Sequence, residues 1–195
     1  MTGWPVRLTE GEVTLRPLEV GDARAWRGVR TRNATWLQPW EATVPPATPG
    51  RPPTFRQMVR RLNRMAREGQ AMPFAVEVDG AFAGQLTVSN IVRGSAQFAS
   101  IGYWIDREHA GRGIMPLCVA MAIDHCFFGA GLHRIEISIR PENTNSLRVV
   151  EKLGMKEFGY AERYLHIDGA WRDHRQFAVT IEECPRGMVA RLLSV

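Results

Sequence analysis

The stretch Ile101-Gly-Tyr-Trp-Ile-Asp-Arg-Glu-His-Ala-Gly-Arg-Gly-Ile-Met115 runs from an apolar, strand-like segment through a glycine-flanked basic turn into a helix. Gly111 and Gly113 carry no Cβ, so the backbone here can approach an anion closely. The first amides of the following helix are unpaired donors at a positive dipole end. Arg112 adds a charge between the glycines, and the pattern suits a phosphate. A dinucleotide fingerprint would need glycine where Pro116 stands, and a P-loop would need Gly-Lys-Ser/Thr, so neither is present. Pro116 is tolerated in a first helical turn, where its missing N–H has no partner to lose. Taken alone, the segment also reads as an ordinary strand–turn–helix link.

A second constellation follows. Ile135, Ile137 and Ile139 alternate with Arg134, Glu136, Ser138 and Arg140, the period of a half-buried strand. Pro141-Glu-Asn143-Thr-Asn-Ser146-Leu-Arg-Val-Val-Glu-Lys-Leu-Gly154 then reads as a helix. Leu147, Val150 and Leu153 share one face, Asn143 or Asn145 supplies a cap, and Gly154 supplies a stop.

Working outward, Asp79-Gly80 and Asp168-Gly169 separate strand-like runs and predict hairpins near 74–90 and 156–182. A first strand is expected from Glu12 to Pro17 and a helix from about Asp22 to Arg32. Residues 41–53, with Pro45, Pro46, Pro49, Pro52 and Pro53, read as a loop. Thr54-x-x-Gln57 is a capping-box start for a helix. Between the hairpins the patterns place a strand at 96–105, a helix at 113–129, a strand at 132–140 and a helix at 143–154. This order suits an α/β (α+β) fold: a mixed, mostly antiparallel sheet with helices on both faces. No repeat or second domain is evident, so residues 1–195 read as one domain, with a core of about 12–183 and a short tail, 184–195.

Composition agrees with one soluble enzyme domain, because 195 residues at 45% hydrophobic can bury one substantial core. No apolar run approaches a membrane span, and the start Met-Thr-Gly-Trp-Pro lacks a signal peptide's charged and apolar regions, which points to the cytoplasm. Cys118, Cys126 and Cys184 are odd in number, lack metal-ligand spacing, and read as inert core thiols; no metal is expected. The formal net charge is +5, carried almost wholly by arginine, with lysine only at 152 and 156. Arg56, Arg60, Arg61, Arg64 and Arg67 form the one basic cluster. Opposite them Phe55, Met58, Val59, Leu62 and Met65 make an apolar face, so the cluster reads as a solvated amphipathic helix rather than a nucleic-acid reader. The tail from Gly187 to Val195 is apolar enough to pack on the body or to build a homodimer.

Together these segments resemble the GCN5-related N-acetyltransferase (GNAT) superfamily, whose acetyl-CoA loop reads Gln/Arg-x-x-Gly-x-Gly/Ala. Here residues 110–115 read Ala-Gly-Arg-Gly-Ile-Met, with Ala110 and Met115 as the departures. Gly102-Tyr-Trp-Ile, Asn143-x-x-Ser146, Lys152-Leu-Gly154 and Tyr164-Leu-His-Ile-Asp-Gly-Ala-Trp-Arg-Asp-His174 narrow the resemblance to RimJ/RimL-type ribosomal-protein N-terminal acetyltransferases. Asn33-Ala-Thr-Trp-Leu-Gln-Pro-Trp40 looks like their first substrate-side loop.

The resemblance implies a fold whose fourth and fifth strands splay, with the thioester in the opening. Backbone groups of Tyr103, Trp104 and Ile105 would pair with pantetheine. Gly111, Arg112, Gly113, Ile114 and Met115 would hold the pyrophosphate, and Asn143 would bond the cofactor. Direct transfer to an amine needs a base, an oxyanion donor and a proton for the departing thiolate. The resemblance makes Ser146 the thiolate's proton donor. For the base, Glu108 is the first choice, with Asp106, Glu136 or a bound water as alternatives. Trp40 and Tyr164 could wall the substrate groove, and His174 reads either as a base or as hydrogen-bonded architecture. The acceptor implied is a protein N-terminus, with a small amine such as an aminoglycoside or polyamine as the alternative, and a non-catalytic CoA-binding regulator as a third reading.

Overall fold

The computed structural model describes residues 4–46 and 52–194. Eight strands form one sheet: β1 Leu8–Glu10, β2 Val13–Pro17, β3 Met72–Val78, β4 Ala81–Val92, β5 Phe98–Ile105, β6 Arg134–Ile139, β7 Lys156–Ile167 and β8 Ala170–Thr180, in the order β1-β2-β3-β4-β5-β6-β8-β7. Every neighbouring pair is antiparallel except β5 and β6. The helices are α1 Ala23–Arg32, α2 Ala34–Leu37, α3 Phe55–Arg67, α4 Ile114–Asp124, α5 Thr144–Lys152 and α6 Met188–Leu193.

Both hairpins form where expected. Asp79 and Gly80, and likewise Asp168 and Gly169, take positive φ (49° and 76°; 48° and 75°), the twist that a two-residue turn needs to match flanking strands. At Thr54 the side chain accepts from the Gln57 amide and Gln57 reaches back to the Thr54 amide, so the capping box starts α3 as its sequence requires. Of the proline-rich loop, residues 47–51 lie outside the described residues.

All seven residues of β3 are buried, because the sheet is covered on both faces. Phe74 and Val76 join the large cluster with α4 and α5. Ala75 packs on the other side with Leu18 and with Val59 of α3. The basic cluster therefore sits on the outer face of α3, with all five arginines exposed. Two expectations change in detail. The first strand expected from Glu12 to Pro17 forms as β2, preceded by a short strand, β1, that was not expected, so the expected fourth and fifth strands are β5 and β6; and the helix expected over 113–129 ends at Asp124, continuing through His125–Gly129 as a single π turn. Gly129 permits that turn, since a Cβ there would sit 2.5 Å from His125 Nδ1. The tail packs on the body: the Met188 and Val189 amides donate to Asp124, and Arg191 donates to the Gly154 carbonyl. All three cysteines are buried and free, and burial pushes the Cys118 and Cys126 thiols up to about 12. No described helix is long and apolar enough to cross a membrane.

The feature that positions the site is the parallel pair. β5 and β6 match only at Phe98–Arg134, Ala99–Ile135 and Ser100–Glu136, and then diverge. β4 backs β5 as far as Gly84–Ile105, and β8 backs β6 throughout, so the gap is held open by intact outer ladders. Gly84 makes the first of these contacts feasible: a Cβ there would lie 2.4 Å from the Trp104 carbonyl oxygen. Gly84→Ala is therefore expected to force β4 from β5 and to destabilise by about 1–3 kcal/mol, read as a lowered urea midpoint. A variant as stable as the parent would show that the backbone relaxes at no cost.

Candidate active site

A cavity of about 410 Å³ opens where β5 and β6 part. Its walls are Tyr103, Trp104 and Ile105 from β5, Ala110, Gly111 and Gly113 from the glycine turn, Ile114, Met115 and Pro116 from α4, and Asn143, Ser146, Val149 and Lys152 on or before α5, with Trp36 and Trp40 across the mouth. A second cavity, about 210 Å³, continues past Tyr103 between Ile101, Gly102 and Ile137, Ser138, Ile139. Arg140, Leu165, Ile167 and His174 close it. Trp40, Tyr103, Asn143 and Ser146 border both, so the two spaces meet at these four residues.

At the glycine turn, Gly111 and Gly113 have φ of +78° and +82°, a region that glycine enters without strain. Gly113 is the N-cap of α4 and accepts from Leu117 at 3.2 Å. The Ile114 and Met115 amides have no carbonyl one turn back, so they are donors at the positive end of an eleven-residue helix. Arg148 and Lys152, one turn apart on α5, add positive charge to the same cavity. Arg112 turns away to ion-pair with Glu12 at 3.2 Å, and lines a neighbouring groove instead.

Asn143 caps α5: its Oδ1 accepts from the Ser146 amide at 3.1 Å. Capping occupies only that oxygen. Among the described residues neither the Asn143 Nδ2 nor the Ser146 hydroxyl closes a hydrogen bond with protein, and both residues border the junction. The Tyr103 hydroxyl is sealed in protein without a hydrogen bond. Burial pushes its pKa up to about 12, and the neighbouring Ser146 hydroxyl opposes that rise without closing a hydrogen bond, so Tyr103 stays a protonated donor.

The acidic candidates lie elsewhere. Glu108 is exposed on a 3-10 turn, Arg107–His109, and lines neither cavity. Glu136 is bound to Arg134 Nε at 2.6 Å. Asp106 is only 1% exposed and is a clamp: Arg32 donates to Oδ2, Asn33 Nδ2 to Oδ1 at 2.8 Å, and the Glu108 amide to Oδ1 at 3.3 Å. Asn33 Oδ1 in turn accepts from the Arg107 amide at 3.0 Å. This network ties the end of α1, and the tryptophan-bearing segment after it, to the end of β5. Among the described residues no carboxylate lines either cavity.

Trp40 is held over the junction by Arg140, whose Nη1 donates to the Pro39 carbonyl at 2.6 Å and whose guanidinium lies 5.3 Å from the Trp40 ring. Residues 41–43 then dock on the β7–β8 hairpin, with Thr43 N bonded to His166 O and Asp168 N to Glu41 O. Tyr164 is exposed and lines neither cavity; its ring stands edge-on to His174, centroids 5.8 Å apart. Sequence reasoning did not single out Trp36 alone, Arg140, Arg148, Lys152 or His109 as site residues. Only the cation pair at 148 and 152 carried a signal, its helical spacing in line with Asn145.

Residues 12–156 match the family model described as an acetyltransferase (GNAT) domain. The chain belongs to the GNAT acetyltransferases. It is 32% identical over 186 residues to the [ribosomal protein uS5]-alanine N-acetyltransferase of Escherichia coli, an alignment covering 93% of this chain and 94% of that protein. Among solved structures it superposes on Mycobacterium smegmatis RimJ in complex with CoA-disulfide at a TM-score of 0.90, with 38% identity over 98% of this chain and 95% of that one. It also superposes on a ribosomal-protein-S5-alanine acetyltransferase from Vibrio fischeri at 0.78, with 30% identity, covering 90% and 96%. The mixed, mostly antiparallel sheet described above is that of a GNAT acetyltransferase.

The Asp106 clamp predicts a pH effect. Burial alone would raise this carboxyl, but the hydrogen bonds from Arg32, Asn33 and the Glu108 amide outweigh it and hold the group below its ordinary value. Its contribution is therefore complete above the ordinary carboxyl pKa of about 3.9 and is lost as pH falls through the lower, folded value. Asp106→Asn should cost about 2 kcal/mol at pH 7, and the gap to the parent should narrow on acidification. Urea unfolding at pH 7 and near pH 3 measures both quantities; a gap independent of pH would reject the clamp's ionic character.

Proposed function

We propose that this protein is an acetyl-CoA-dependent N-acetyltransferase of the cytoplasm, one catalytic domain over residues 1–195, acting on the N-terminal α-amine of a protein such as a ribosomal protein. The observation that supports this reading is the junction of two cavities at Tyr103, Asn143 and Ser146, one fitted for a phosphate-bearing ligand and the other free of carboxylates. The M. smegmatis relative in complex with CoA-disulfide supports the same ligand for this fold.

The residues present fit CoA. The Ile114 and Met115 amides and the left-handed glycines offer a cradle for its pyrophosphate, Arg148 and Lys152 offer charge, and β5 presents Tyr103, Trp104 and Ile105 along the cavity. Acetyl-CoA supplies the activated acyl group as a thioester. Asn143 Nδ2 is a donor at the junction, placed to hold the acyl region and meet developing negative charge. The amine forms the new C–N bond, the C–S bond breaks, and the leaving sulfur takes a proton that Ser146 is placed to deliver. No covalent enzyme intermediate is required.

The acceptor cavity discriminates by charge. Arg140, paired with Glu142 at 3.2 Å, is the cation at its wall, and among the described residues no carboxylate lines it to bind a polyamine or an aminoglycoside, whose several ammonium groups would then be desolvated without partners. A chain N-terminus brings a single ammonium with a pKa of about 7.7–8.0, against about 10.4 for lysine, so an appreciable fraction is neutral near pH 7.

Acetyl-CoA at roughly a hundred times its Kd should stabilise the fold by about 2.7 kcal/mol, whereas NAD and ATP should not. Gly113→Val, strained at φ +82°, should abolish the shift; an unchanged melting temperature with saturating acetyl-CoA would reject the ligand. Mass spectrometry on ribosomal-protein N-terminal peptides, lysine peptides, spermidine and an aminoglycoside should find transfer to the α-amine first. Transfer to the small amines alone would replace this acceptor. Ser146→Ala keeps the amide that Asn143 caps, so it should leave acetyl-CoA affinity intact while lowering kcat by about 10²–10⁴. A loss below tenfold would return Ser146 to the helix cap alone.

A further inference from the structure

The chemistry just described needs a group to accept the ammonium's proton, and the carboxylates near the site are engaged or turned away. His174 lines the acceptor cavity from β8 and is 3% exposed. Its Nδ1 lies 3.0 Å from the Arg172 carbonyl oxygen. A carbonyl can only accept, so Nδ1 carries the proton and Nε2 keeps its lone pair. Among the described residues Nε2 bonds to no protein atom, and it is not one of the buried atoms left without a partner, so it is the ring nitrogen left for the cavity. Tyr164 on β7 stands edge-on to this ring, and three charges act on it: Arg140 after β6, Glu142 before α5 and Asp173 on its own strand.

We propose that His174 is the general base of the acceptor site. This rests on the reading of the two cavities given above. Nε2 takes one proton from the acceptor ammonium, and the freed nitrogen lone pair forms the C–N bond. As the C–S bond breaks, the second nitrogen proton passes to the Ser146 hydroxyl while that hydroxyl gives its own proton to sulfur. The imidazolium then returns its proton to solvent. Tyr103, its hydroxyl sealed and held protonated by burial, cannot serve as the base. The electrostatics agree with a neutral imidazole. Burial lowers its pKa and Arg140 lowers it further, outweighing the Arg172 carbonyl, Asp173 and Glu142, which raise it.

The test is His174→Gln, assayed with acetyl-CoA and the best α-amine peptide. Turnover should fall by about 10²–10⁴ with acetyl-CoA affinity unchanged. In the parent, kcat should rise with pH through a step below the ordinary histidine value of about 6.5, and the variant should lack that step. A loss under tenfold, or a step retained in the variant, overturns the assignment. Nitrogen-15 NMR of the parent provides a check that needs no variant: a protonated Nδ1 and a bare Nε2 at neutral pH support it, and a proton on Nε2 overturns it. A parent that binds acetyl-CoA yet acetylates no α-amine would fault the acceptor reading instead, whereas an active parent with an equally active variant faults His174 alone.

Discussion

Three residue pairs hold β5 parallel to β6, and the separation beyond them is the constraint from which the site follows. Unpaired backbone groups inside a sheet are costly unless something else satisfies them. Here each parted strand keeps its outer neighbour, so the inner edges stay straight and separate instead of collapsing together. The result is a slot with peptide donors and acceptors on both sides, suited to an extended ligand arm that carries amides of its own. The crossover between these strands is α4, and its N-terminus opens at the slot's mouth with its amides directed at the same space.

Charge is distributed around that slot unevenly. Arg140, Arg148 and Lys152 line it, while the acids that stand beside it in sequence are withdrawn into other work. Asp106 shows why proximity in sequence misleads. It follows directly on the strand that forms one wall, yet its carboxylate is spent on Arg32 and Asn33, where it fixes the segment that carries Trp36 and Trp40. The withdrawal leaves hydroxyl and amide groups at the junction and an imidazole in the second cavity, all of them polar and none of them anionic in the neutral range.

Much of this was legible in the sequence because local rules dominate where they are strong. The two Asp-Gly turns, the Thr54–Gln57 cap and the isoleucine alternation of β6 each specify their element without reference to the rest of the chain. The glycine turn and the Asn143–Ser146 pair were visible for the same reason, since both use short spacings. What escaped depends on tertiary contacts. The π turn at His125–Gly129 reflects how one glycine admits a ring, and no periodicity announces it. Arg140 reads as the polar side of a strand end until the fold brings Pro39 and Trp40 beneath it, a separation of about a hundred residues in sequence. His174 reads in the sequence as either a base or hydrogen-bonded architecture, and only the fold shows that its ring is tied to the Arg172 carbonyl at Nδ1.

The three thiols, on α4 (Cys118), on the π turn after it (Cys126) and just before α6 (Cys184), lie outside the chemistry, and each is shut away from water with its ionisation suppressed by burial. Alkylating reagents attack thiolate, so the folded chain should be nearly inert towards them, and the rate of modification becomes a clock for structural opening. All three cysteines belong to the large core cluster, and Cys118 and Cys126, on the central helix and its π turn, report its exposure. Cys184 lies where Arg191 of α6 comes within 3.8 Å of its sulfur, so it reports release of the tail. The chain thus carries two native reporters, one for loosening at its end and one for loss of its centre, with no label to be introduced.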